Sequence, residues 1–245
     1  MTAATLVKKI GRVTLGGVSH QRFLSSDKIK ELSTASIIQS VLDESRLEAA
    51  EVENLMRYVL NQPAKKLFLL LVLCERVEWV SVLKTDQHSF NDLDLPIPLS
   101  YTNDPSTSSG SEEAEEEREQ QRWPAEFTSA SGTRGSIELY QWWFLAPVFT
   151  TSKFYHEFDE RIPLPFIRKY KTTKQGSYGS VREVVIHRAH QNVIQHVSHC
   201  SSSLPLIVSS NLDFNLQDRT RQMINLYGLP LKKRMHQMVN GLSEK

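Results

Sequence analysis

The chain has 245 residues, long enough to bury one or two hydrophobic cores. Lys and Arg total 29 against 28 Asp and Glu, and the resulting net charge of +1 offers no global basic field for nucleic acid. Its longest apolar run, residues 67–74, is far short of the roughly 20 residues that a bilayer requires, which argues against a membrane protein.

Residues 1–32 show no clear period and read as a poorly ordered lead-in. Their lysines lack the sustained apolar stretch of a signal peptide. Cys74 and Cys200 lie far apart and suggest no disulfide framework. The expectation is a reducing compartment, the cytoplasm, with the nucleus as the alternative.

Residues 33–101 read as a helical domain. Thr34 or Ser36 can cap a helix in which Ile37, Ile38, Val41 and Leu42 share a face. Leu47, Ala50, Val52, Leu55, Met56, Val59 and Leu60 trace a second helix, which Asn61-Gln62-Pro63 stops because proline has no N–H and a fixed φ. Pro63 can open a third helix at its first turn, and that helix runs through the apolar block towards Val77. Residues 92–99 read as an extended, proline-stiffened exit.

Residues 102–135 have the composition of a disordered acidic linker, with turn formers at 103–111 and an acidic block at 112–117. Ser111 stands directly before that block, so phosphorylation is the sharper alternative to a plain spacer. Residues 136–192 begin with an aromatic segment, 137–149, expected to be a strand and segment docked on a core. Trp142 and Trp143 lack the interleaved Lys and Arg of a base-stacking groove.

Next comes a strand entry at residues 164–170, then Lys174-Gln175-Gly176-Ser177-Tyr178-Gly179-Ser180-Val181, and a Val/Ile run to His187. This reads as two strands joined by a glycine-bearing turn. Residues 193–245 form a divergent, polar tail in which 218–238 is expected to be a basic helix.

The second half of the chain resembles the fungal serine/threonine protein-kinase-like proteins. The matching residues are Trp142 to Phe149, Tyr155-His156-Glu157-Phe158, Leu164-Pro165-Phe166, Gly176 to Val181, and Val184-Val185-Ile186-His187-Arg188-Ala189-His190. The helical block with Ala64 to Phe68, and the Asp94-Leu95-Pro96 exit, also look like that family's N-terminal region. The resemblance implies an α+β fold: an α-helical N-terminal domain, a disordered acidic linker, and an incomplete antiparallel β unit like the first strands of a kinase N-lobe. It also implies a nucleotide contact through Gly176, Ser177, Tyr178, Gly179 and Val181. ATP and Mg²⁺ are the family's cofactors, and phosphoryl transfer to a protein Ser or Thr is its activity.

The departures matter as much. Lys174 stands where the first glycine of the loop belongs, and Thr173 replaces an aliphatic residue. After His190 there is no H-R-D, D-F-G or A-P-E. Lys232, in Leu229-Pro230-Leu231-Lys232, is a poor substitute for the strand lysine because Pro230 breaks a central strand. The expectation is therefore no catalytic residue, no ATP or Mg²⁺ bound by these residues alone, and an inert kinase remnant. The helical region would then bind a protein partner, and neither nucleic acid nor membrane. The abrupt loss of resemblance suggests a premature stop, a retained intron or a shifted frame as the origin of the tail. Strands without sheet partners are expected to be marginal and to pair through their edges.

His187, His190, His196, His199 and Cys200 fall close together, but their spacings match no common zinc site, and no metal is expected. The basic triplet Lys232-Lys233-Arg234 is too short to signal nuclear import or nucleic-acid binding.

Overall fold

The computed structural model describes residues 1–17, 20–45, 47–84, 89–98, 123–124, 127, 131–150, 155–169, 174–176, 179–192, 206–210 and 221–227. The fold is α+β and divides into two units. One comprises residues 1–16 and 21–146, and the other comprises 147–245 with 17–20.

The first unit begins with a helix where a poorly ordered lead-in was expected. Helix α1, Ala3–Val13, is capped by Thr2, whose hydroxyl accepts the Thr5 N–H at 3.1 Å. Leu6 and Ile10, four residues apart, are fully buried, with Ala3, Val7 and Val13 packed beside them. Such a short helix is marginal in isolation, and the core it joins is what stabilises it. A two-strand ribbon follows, with β1 (Leu15–Gly16) antiparallel to β2 (Arg22–Phe23). Helix α2, Ser26–Leu32, completes the correction to the lead-in and buries Ile29 and Leu32.

Helices α3 (Ala35–Leu42, N-cap Thr34) and α4 (Ala49–Asn61) fall where the periodicity placed them. Helix α5, Lys65–Leu73, has residues 67–73 all buried and forms the centre of the unit. It starts two residues after Pro63 and stops short of Val77 because a left-handed cap ends it. Glu75 has φ 55°, the Arg76 N–H bonds to Leu71 O at 2.9 Å, and the Glu75 N–H bonds to Val72 O at 3.1 Å. A 3₁₀ turn, Val77–Trp79, then leads into α6, Val80–Leu83.

The aromatic segment differs from expectation. Residues Ser131–Gln141 form helix α7 and Trp142–Phe144 a 3₁₀ turn, rather than a strand. Ile137, Gln141 and Phe144 are all buried, and their spacing of four and three is a helical period. Trp123 and Phe127 are buried too, with Trp123 stacked on Phe90 at 4.2 Å and Phe127 5.2 Å from Trp79. Part of the expected linker therefore packs into the helical core, which runs from Leu6 to Phe144. The unit boundary falls between Ala146 and Pro147 rather than at 135. The acidic block 112–117 and Ser111 lie outside the described residues.

Gly135 sits inside α7, where an added Cβ would meet nothing within 4 Å. Replacing it with alanine is expected to stabilise the unit by about 0.5–1 kcal/mol, since alanine loses less backbone entropy on becoming helical. Urea unfolding measures this as a raised midpoint with an unchanged slope.

The second unit is an antiparallel sheet. Its strands are β3 (Tyr155–Asp159), β4 (Phe166–Lys169), β5 (Lys174–Gly176), β6 (Gly179–Ile186), β7 (Leu206–Ser210) and β8 (Arg221–Tyr227), in the order β3-β8-β7-β6-β4 with β5 also on β6. Phe149 is fully buried and touches both Phe158 of β3, at 6.1 Å, and Phe166 of β4, at 6.3 Å. These strands end the order on opposite sides, and in a flat sheet they would stand about 19 Å apart at four strand spacings. The sheet therefore curls around Phe149, with Leu164, Val184 and Ile186 completing the cluster.

The tail corrects the expectation of an incomplete β unit. Strands β7 and β8 come from residues 206–227 and lie between β6 and β3, so the sheet has its partners. Residues 221–227 are a strand, where a basic helix was expected. Their Met-Ile-Asn-Leu-Tyr run favours extended backbone, and a paired ladder on each side supplies the hydrogen bonds.

Candidate functional site

The glycine-bearing stretch forms the tip of a hairpin. On β5 and β6, Lys174 is opposite Val181, Gln175 opposite Ser180, and Gly176 opposite Gly179. Further along β6, Lys169 is opposite Val184 and Arg168 opposite Val185. β4 and β5 thus run along one side of β6, with Ser177 and Tyr178 between the last paired glycines in sequence and outside the described residues. A bulge between Phe166 and Arg168 makes Ile167 the extra residue, and Ile167 is half-exposed. A bulge twists the strand and, with exposed Arg168, discourages pairing with another edge.

On the other side of β6, the register sets Val208 opposite Arg182, Ser209 opposite Val181, and Ser210 opposite Ser180. The strand beside the glycine hairpin therefore reads Leu206-Ile207-Val208-Ser209-Ser210, without a lysine. Lys232 lies outside the described residues.

The turn after β6 is tied down by its histidines. His187 Nδ1 accepts the Ala189 N–H at 3.3 Å, and His190, buried, places Nδ1 2.9 Å from Pro147 O. The Phe149 N–H donates to His190 O at 2.8 Å, and the Asn192 N–H donates to Phe149 O at 2.8 Å. The two imidazoles lie 6.0 Å apart, and of the two residues it is His190 that ties the segment from Pro147 to Phe149 to the turn after β6. His196, His199 and Cys200 lie outside the described residues, among which no group of three or more His, Cys, Asp or Glu is placed to hold a metal. Among the described residues no helix is long and apolar enough to cross a membrane.

A second polar cluster lies in the helical unit, in a segment read from the sequence only as an exit. A 3₁₀ turn, Asp92–Asp94, is closed by a reciprocal cap: Asn91 Oδ1 accepts the Leu93 N–H at 2.9 Å and Asp94 Oδ2 accepts the Asn91 N–H at 2.8 Å. The Asn-x-x-Asp spacing was a visible hint of this cap. Asp92 turns inward, and its Oδ1 accepts the N–H groups of Lys66 and Leu67, at 2.8 and 3.1 Å, in the first turn of α5. Burial pushes the Asp92 carboxyl up to about 6, against the pull of those N–H groups and of Lys66 and Lys65. Burial likewise drives the Lys66 ammonium down and the Tyr58 phenol up, and it pushes the Cys74 thiol up to about 12, so that thiol stays protonated.

Compared with protein-family models, curated proteins and solved structures, the chain matches none.

Proposed function

We propose that this chain is a protein-kinase-like binding module that carries the nucleotide-covering hairpin of such a fold but does not itself transfer phosphate. The observation that supports the reading is the register at the hairpin: Gly176 against Gly179 at the tip, Val181 two residues on, and a neighbouring strand that supplies no lysine. Phosphoryl transfer needs little covalent help from the protein but depends on cations and positioned carboxylates around the phosphates. Glycines that let backbone N–H groups approach a ligand are only one wall of that arrangement. Transfer from MgATP to a protein hydroxyl belongs to the whole catalytic fold that the resemblance implies.

In this reading the helical unit contacts a protein partner. Its support is Leu93, 86% exposed at the tip of a turn that is hydrogen-bonded on both sides.

Incubation with radiolabelled ATP and Mg²⁺ is expected to leave the chain unlabelled, and calorimetric titration with ATP is expected to give no binding heat. A binding heat that disappears in the Gly176→Asp, Gly179→Asp double variant would overturn the reading, as would label on the chain.

A further inference from the structure

Helix α1 has two unlike faces. Leu6 and Ile10 are seated in the core with Val7 and Val13 packed beside them, so its apolar face is occupied. The outer face carries Lys8 and Arg12, both exposed, with Lys9 at its edge. Lys8 and Arg12 are four residues apart and Lys9 and Arg12 three apart, which makes the three cations neighbours on the helix surface. Beyond that edge, Glu31 of α2 pairs with Lys9 at 3.2 Å and with Lys28 at 2.5 Å, and so brings Lys28 into the same strip. One carboxylate thus serves two ammonium groups, while Lys8 and Arg12 have no ion-pair partner among the described residues. A second carboxylate, Glu44, is engaged at the start of the helix, where it accepts the Ala3 N–H at 2.9 Å. Residues 1–26 themselves contain no Asp or Glu.

We propose that this strip, Lys8, Lys9 and Arg12 of α1 with Lys28 of α2, is a docking surface for the anionic headgroups of a lipid membrane. The net charge of the whole chain, +1, does not oppose this, because charges more than about 8 Å away are largely screened at physiological ionic strength. What the bilayer meets is the local excess of cations, each of which adds to the attraction. That attraction is electrostatic alone. An interfacial helix inserts its apolar face, and the apolar face of α1 is buried in the core. The shape of the surface selects among polyanions. It is the outside of an 11-residue helix, about 16 Å long, with Ala4 and Gly11 exposed beside the cations, so it is convex and offers no groove to grip a peptide. Three of the four cations are lysines, hydrated point charges that suit a layer of headgroups better than the forked reading of a single phosphate. Around Lys8 and Arg12 the outer face consists of Ala4, Thr5 and Gly11, without an aromatic ring on which a base could stack. The inference is independent of the hairpin reading.

The test is cosedimentation of the full chain with phosphatidylcholine vesicles, with and without phosphatidylserine, at low and high salt. The chain is expected to partition onto the phosphatidylserine vesicles at low salt and to leave them at high salt. Lys8→Gln with Arg12→Gln should weaken that partition about 25-fold, at about fivefold for each cation removed. Arg57→Gln with Lys84→Gln takes the same charge from α4 and from the end of α6, and should leave the partition unchanged. All four positions are exposed, and circular dichroism of each variant reports that the helices are retained. Failure to partition onto phosphatidylserine vesicles, or an equal loss in the two double variants, overturns the proposal. So does a chain that prefers duplex DNA or polyglutamate to those vesicles in direct competition.

Discussion

Ending the chain after Asn192 is expected to unfold the second unit while leaving the helical unit folded. Strands β7 and β8 sit in the interior of the sheet order, between β6 and β3. Without them, β3 loses the ladder from Tyr155–Asn225 to Asp159–Arg221, and β6 keeps only its β4 and β5 side. What remains is essentially one hairpin, which is marginal in water, with Phe149, Val184 and Ile186 deprived of the curl that encloses them. The helical unit has its own continuous core and needs none of these residues. Circular dichroism with thermal unfolding checks this. The expected result is loss of the β contribution together with a persisting cooperative helical transition. Retained sheet signal in the shortened chain would contradict it.

Gln141→Leu is expected to destabilise the helical unit by about 2–4 kcal/mol, because it strands two buried backbone groups at once. Gln141 is 1% exposed, and its amide serves both the N–H and the C=O of Ile97, as a neighbouring strand would. Leucine fills nearly the same volume, so the loss comes from hydrogen bonding rather than from a cavity. Gln141→Glu should be worse at neutral pH than in acid, because an ionised glutamate loses the donor to Ile97 O and brings a charge into the core. Urea unfolding of both variants at two pH values separates these effects. A Gln141→Leu variant with an unchanged midpoint would show that Ile97 finds other partners.

Much of the helical unit was readable because burial there follows a local period. Helices α3 and α4 repeat apolar residues every three or four positions, α5 is an unbroken apolar run, and Thr34 and Pro63 mark their ends. Helix α1 carried the same signal in Leu6, Val7, Ile10 and Val13, but its two lysines and Gly11 diluted it over a short stretch. Helix α7 was hidden more deeply. Gly132, Gly135, Ser131 and Thr133 are poor helix formers, and only the packing of Ile137, Gln141 and Phe144 on a core built by distant residues makes the helix worthwhile.

At the hairpin, local residue chemistry was enough to foresee strand, glycine turn and strand, because glycines and β-branched residues act over neighbouring positions. It was not enough to foresee what lies beside the hairpin. The register that brings Ser209 next to Val181 joins residues 28 positions apart, and nothing in either segment names the other. The same holds for Asp92 on the first turn of α5 and for Gln141 on Ile97. Residue order thus settles the elements whose stabilising contacts are a few positions apart. Partners, strand order and the burial that shifts a carboxyl are settled only when the chain closes on itself, because those contacts depend on which distant backbone groups arrive and whether water is excluded.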